Sequence, residues 1–427
     1  MLSTPAKTTK LFRVDPKKSN FRTNIDATPR FSEQFTTPWN GICNPDSKLR
    51  TPDIPKFLFK SIFWIGLVEE SPQKCLQRIT TIFFILILIF MTASEWISCL
   101  LIFDYQDLGI VYGYLLNYLF ISVVYISVFR RRNLLTTTLV KICEFSLPVN
   151  REKIINAIIF MLFSTPILYS AVKIIGEVNY YCLLYETYGY GLEDPTAQKV
   201  LISTKYYLRA IMHPIFTSLV ALLLCVLCQR CCSLINILHQ EIQHVSPEEF
   251  VLPKQLDILR RKAKIDEILD NIIDIFATPW LCIIIVTCLT CCIAIGKFVH
   301  FAFAIYRPAD RNETVFCVIT DCTCSIATLG VANRLSVRLK ELKILFYKEV
   351  RTRQLFICNL EEPLPKKELF GKSNLVFIGV LEITRYHMRF VLVTCVAVLT
   401  YGLILIGMKK GESFDFDAYN ISFLLLT

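Results

Sequence analysis

The sequence predicts an all-α, polytopic membrane protein with seven transmembrane helices, the amino terminus cytosolic and the carboxyl terminus extracellular. Three observations carry that expectation. Of 427 residues, 54% are hydrophobic, and the mean hydropathy is +0.48, too apolar for an ordinary soluble chain of this length. Seven apolar runs are long enough, at about 1.5 Å per helical residue, to cross a ~30 Å hydrocarbon core. Basic residues gather in alternate connecting segments, which sets an orientation.

In chain order, residues 1–50 are polar and rich in Thr, Pro, Lys and Arg, and read as a flexible cytosolic tail. No apolar segment near Met1 resembles a signal peptide. Within 51–78, the run KFLFKSIFWIGLV from Lys56 to Val68 is too short to span and is expected to be an interfacial or re-entrant helix. Residues 79–332 should form a six-helix membrane bundle, with spans at Ile79–Phe103, Gly109–Phe129, Ile154–Ile175, Tyr206–Cys228, Ile275–Ile305 and Thr314–Ala332. Pro166 and Pro214 fall inside the third and fourth spans, where kinks are expected. Residues 333–385 are expected to be a second long cytosolic stretch, in which Leu369–Ile383 reads as a short helix leading into the seventh span. Residues 386–408 are the seventh span and 409–427 an extracellular tail.

Segments 1–78, 130–153, 229–274 and 333–385 hold 36 of the 46 Lys and Arg, including the Arg130-Arg131-Arg132 triplet. They are therefore assigned to the cytosol. Two glycosylation acceptor patterns, beginning at Asn312 and Asn420, both fall on the opposite side. Between the fourth and fifth spans, Leu234, Ile235, Leu238 and Ile242, then Ile265, Ile268, Leu269 and Ile272, recur at helical spacing. The helices should thus continue below the membrane. Arg260, Arg261, Lys262, Asp266 and Glu267 between those positions read as a solvated face.

The chemistry-bearing residues exclude several classes. There is no phosphate-cradling glycine loop, no HExxH and no nucleophile elbow, so no enzyme and no cofactor are expected. The basic residues form no aromatic-studded face for nucleic acid. Most of the 18 cysteines lie in apolar runs, among them Cys282, Cys288, Cys291, Cys292, Cys322, Cys324 and Cys395. Cys228, Cys231 and Cys232 have CxxC spacing without a second pair, which favours palmitoylation or packing over a metal.

Charges inside spans are the stronger lead, since hydrocarbon makes an unpaired charge costly. Glu95, Lys173, Arg209, Lys297 and Asp321 all fall in outer halves. With aromatic and polar neighbours they define candidate ligand-binding residues Tyr114, Asn117, Tyr118, Tyr169, Tyr207, Arg209, His213, Lys297, His300 and Asp321. A structural reading competes: Lys173, Arg209 and Lys297 can snorkel, tyrosines populate interfacial belts, and Asp321 can pair with Lys297 or Arg209.

In the last span, Thr400, Leu403, Ile404 and Gly407 share one helical stripe. The pair Thr400-Tyr401 followed by five mostly apolar residues resembles the signature of the arthropod gustatory receptors, a family of inverted seven-span chemoreceptors. Gly407 and Met408 stand where that signature has Gln and Phe. The resemblance extends to the order of spans and the long cytosolic stretches. It implies a ligand-gated cation channel in the plasma membrane of sensory neurons, a homo- or hetero-tetramer embedded in lipid. A small-molecule ligand would bind between the outer parts of the second to sixth spans. Thr400, Leu403, Ile404 and Gly407 would line the pore. A receptor signalling through a partner, or a light or internal-state sensor, is the alternative, and a small-solute transporter is the rival class.

Overall fold

In the computed structural model, the described residues are 55–68, 74–101, 108–145, 152–175, 187, 194–300 and 308–356. Residues 1–50 form one unit and 51–427 another. The first unit, residues 357–385, the expected seventh span and the expected extracellular tail lie outside the described residues.

Every regular element among the described residues is helical. In order they are α1 (Lys56–Ile65), α2 (Lys74–Leu101), α3 (Leu108–Arg130), α4 (Arg132–Phe145), α5 (Glu152–Ile175), α6 (Pro195–Ala210), a wide-turn segment Ile211–Phe216, α7 (Thr217–His244), α8 (Leu252–His300) and α9 (Pro308–Phe356). Five helical stretches are long and apolar enough to cross a membrane: Leu76–Ser98, Gly113–Arg130, Pro195–His244, Leu252–Gly296 and Asn312–Phe356. The architecture is that of a multi-pass membrane protein. The expected third span coincides with α5, which continues through Pro166 and is not one of these five.

The short α1 folds back on the bundle through Leu58, Ile62, Phe63 and Ile65, all buried. It stops at Gly66, whose φ of +84 is a left-handed cap that favours glycine. A Cβ there would also overlap the Thr81 side chain. Tyr125 donates its hydroxyl to the Ile65 carbonyl at 3.3 Å, and Gln77 donates to the Val68 carbonyl. Those bonds satisfy carbonyls that the helix end leaves open.

The helices differ in how they meet their surroundings. On α2, Ile79, Ile82, Phe83, Leu86, Ile89 and Phe90 are 56–64% exposed, an outward apolar face suited to hydrocarbon. By contrast α7 is enclosed, packing along α9 while α3 packs along α8. Where α3 meets α8, a Cβ on Gly113 would lie 2.8 Å from Ile293 Cγ1, so the close approach depends on glycine. Phe84, Tyr125 and Phe216 gather their rings at 5.2–5.9 Å between centroids, joining α2, α3 and the start of α7.

α7, α8 and α9 run on well past the apolar spans expected at Tyr206–Cys228, Ile275–Ile305 and Thr314–Ala332 as an extension. Its seam is the set expected from spacing: Leu234, Ile235, Leu238, Ile242, Ile265, Ile268, Leu269 and Ile272 are all buried, joined by Leu335, Leu342, Phe346 and Val350 of α9. Of the charged residues expected to form a solvated face beside that seam, Arg260 and Glu267 are exposed, but Arg261, Lys262 and Asp266 are not. Arg261 reaches across from α8 to α7 and grips Glu241 with both Nη atoms, at 2.6 and 2.8 Å. Lys254 bonds the same carboxylate at 2.5 Å, and Lys262, 4% exposed, pairs with Asp266 at 2.6 Å. The reason is geometric: a long side chain at the edge of an apolar seam lays its stem on the seam and delivers its charge to the next helix, as Arg261 and Lys254 do, or to the next turn of its own, as Lys262 does. Burial works to raise the Glu241 carboxyl, but the hydrogen bonds from Arg261 and Lys254 outweigh it and hold it below its ordinary range. Near the end of α9, Arg353 donates to the carbonyls of Pro247 and Glu248 at 3.0 and 2.9 Å, fixing the α7–α8 loop.

Candidate functional site

The site begins with a proline. Pro214 cannot donate a backbone hydrogen bond, and its ring pushes the preceding residue out of helical conformation. His213 accordingly sits at φ −148 and ψ 123, extended, between two helices, and the His213–Pro214 peptide is cis. Helix α6 is set up for this approach by Asp194, which caps it by accepting from the Thr196 amide at 2.8 Å, with Pro195 in the first turn.

From that break His213 directs Nε2 into the bundle. It lies 3.0 Å from Thr290 Oγ1 on α8 and 3.3 Å from Asp321 Oδ2 on α9. The second approach is a close contact without hydrogen-bond alignment. Asn117 of α3 donates Nδ2 to the same Thr290 hydroxyl at 3.5 Å, and Thr290 in turn donates to the Val286 carbonyl at 2.9 Å. Asn117 and Asp321 are 3% and 4% exposed. Asn117 Oδ1, His213 Nδ1 and Asp321 Oδ2 are buried without a hydrogen-bond partner. Such groups are held at a cost in an apolar surrounding, and they leave the cluster with capacity to donate and accept further bonds.

Beside it stands a full ion pair. Arg209, in the last turn of α6, places Nη2 2.5 Å and Nε 3.0 Å from Glu95 Oε1 on α2. Glu95 is 1% exposed, and the guanidinium carbon stacks 5.1 Å from the Tyr206 ring centroid. Tyr118, 2% exposed on α3, lies within electrostatic reach of both charges. Hydroxyl contacts continue the polar seam deeper, with Thr287 and Ser325 2.9 Å apart and Cys225 and Thr328 3.2 Å apart.

Of the candidates read from sequence, Asn117, His213 and Asp321 meet in one cluster, and Tyr118 and Arg209 adjoin it. Tyr114 and Tyr207 are half-buried nearby in chain order. Tyr169 lies in α5, and Lys297 and His300 in the last turns of α8, but their side chains are outside the description. Asp321 faces His213, and Arg209 takes Glu95; neither forms the Asp321–Arg209 pair that spacing allowed. Thr290, the hub of the cluster, was not singled out from sequence. Its signal was a hydroxyl three residues after Thr287 in an otherwise apolar run. Asn312 is exposed but is the fifth residue of α9 rather than part of a loop. Thr400, Leu403, Ile404, Gly407 and Asn420 lie outside the described residues.

Cys228, Cys231 and Cys232 are all under 10% exposed and pack within the α7 core, so of the two uses foreseen for them packing fits. No group of three or more His, Cys, Asp or Glu among the described residues could hold a metal ion. No protein-family model matches the chain, and no curated protein matches it, so the site is read from its own geometry.

Proposed function

We propose that this chain is a chemoreceptor of the gustatory type, a ligand-gated cation channel of seven spans with a cytosolic amino terminus and an extracellular carboxyl terminus. A small molecule binding among the outer ends of the helices would shift the last span, four copies of which surround the pore in the plasma membrane. The observation that carries this reading is the buried polar cluster at the His213 break. Three groups with unspent hydrogen-bonding capacity, drawn from α3, α9 and the α6–α7 junction, are what a pocket for a polar small molecule needs. A break in a helix beside such a pocket is also the kind of joint that a bound ligand can bias.

The reading is tested by recording currents from the purified chain in planar bilayers while small-molecule classes are applied. Agonist-evoked cation current is expected, and Asp321→Asn should lower agonist sensitivity without abolishing conduction. Leu403→Ser, which wets an aliphatic position assigned to the pore, should raise basal current. Unchanged leak in a correctly inserted Leu403→Ser channel counts against the pore assignment.

The interrupted helix supports a second reading, a small-solute transporter, because transporters place substrate at such interruptions. Solute uptake into vesicles without current would favour it.

A further inference from the structure

Away from the polar cluster, α2 and α3 leave between them an open groove of about 710 Å³. Its walls are hydrocarbon: Leu88 and Ile89 from α2, Ile126 and Phe129 from α3, with Tyr125 also contributing. The three hydroxyls in the lining are already bonded, Thr92 to the Leu88 carbonyl at 2.7 Å, Ser122 to the Tyr118 carbonyl at 2.9 Å and Tyr125 to the Ile65 carbonyl at 3.3 Å. None of the ligand candidates read from sequence lines this groove.

The two ends differ. Six residues separate α2 from α3, so the helices run antiparallel, and the Phe84–Tyr125 ring contact fixes their register. Trp96 therefore closes one end, and Arg130 stands at the other. Arg131 and Arg132 follow Arg130 directly, and Arg78 of α2 extends past the ring contact in the same direction. Arg132 lies over the Phe129 ring at 4.9 Å, which holds its charge beside the groove. Arg130 and Arg131 make no ion pair among the described residues. An apolar trough about 16 Å long on its α2 side, from Ile85 to Trp96, opens onto a cluster of arginine charge.

We infer that this groove binds an anionic phospholipid of the surrounding bilayer, an acyl chain lying between α2 and α3 and the headgroup at Arg130–Arg132. Hydrocarbon walls select the chain, and the arginines select the charge. This site is separate from the proposed ligand pocket and does not depend on the chain being a channel.

The test is native mass spectrometry of the full-length protein recovered from nanodiscs of phosphatidylcholine mixed with phosphatidylserine. The expected result is retention of phosphatidylserine over phosphatidylcholine. Replacing Arg130→Gln, Arg131→Gln and Arg132→Gln together should erode that preference by about fivefold for each arginine removed. Because Arg132 also stacks on Phe129, the Arg130→Gln, Arg131→Gln double variant keeps the stack and should still lose most of the preference. Ala93→Trp, which fills the groove and leaves every arginine in place, should displace the lipid altogether. Equal retention of both lipids by the native protein, a preference that survives the double variant, a lipid that survives Ala93→Trp, or capture of free fatty acid in place of phospholipid would each overturn the assignment.

Discussion

The polar contacts at the His213 break and those in the extension are built from the same residue types, yet they are organised in opposite ways. In the extension the central charges share partners at the rim of an apolar seam: Glu241 serves Lys254 and Arg261, and Arg261 also reaches Asp257 at 2.7 Å. Near the break, Glu95 and Arg209 face each other within a largely apolar bundle, and Asp321 faces a histidine whose charge depends on protonation. Redundant, partly hydrated pairs tolerate loss of one member, whereas a buried pair that loses one member leaves the other charge uncompensated. The extension is thus suited to holding helices together, and the break to responding when something new enters.

The sharpest way to break this contrast is Arg209→Ala. Removing the guanidinium from the buried Glu95 carboxylate should cost about 3–5 kcal/mol, read as thermal unfolding in detergent. The double replacement Arg209→Leu with Glu95→Leu should recover most of that loss. A single variant that melts like the native protein would mean that the pair is hydrated and the contrast false.

Gly113→Ala probes the packing that brings Asn117 to Thr290. With a Cβ 2.8 Å from Ile293 Cγ1, it should destabilise by roughly 1–3 kcal/mol. Ile293→Ala in the same chain should reverse part of that effect, and additive losses would show that the two residues do not meet.

The smallest effect belongs to the extension. The Glu241 carboxyl lies below its ordinary value in the folded chain, so it adds stability at pH values above the unfolded carboxylate pKa, and that stability fades as pH falls through the folded value. Glu241→Gln should therefore cost about 1 kcal/mol or less at neutral pH. The gap between variant and native protein should close as the solution is acidified below about pH 4. A gap that widens on acidification would reverse the sign assigned to this pair.

Helical periodicity made much of the fold legible. Apolar runs located α2, α3, α5 and the spanning parts of α7, α8 and α9, and the seam residues Leu234 to Ile272 proved buried as their spacing required. Helix α4 was passed over as a polar connection, although Leu135, Leu139 and Ile142, all buried, carry the same i, i+4, i+7 signal. Pro214 announced a kink, but not which ring the kink would aim, because that depends on how three other helices surround it. The partners of Asp321 and Arg209 were illegible for the same reason. Spacing says which residues share a face, while the neighbour across the gap is chosen by packing. Lys262 and Arg261 were misjudged because charge in a sequence reads as exposure, and stem length lets a charge travel.

Helices α8 and α9 are each 49 residues long, some 70 Å of continuous rod, more than twice the depth of a bilayer's hydrocarbon. One carries Thr290 and the other Asp321 near one end, and both take part in the buried seam at the other. A rod held at two distant places ties them together: a slight displacement where the small polar groups meet would be carried along the same two beams to the packed far end.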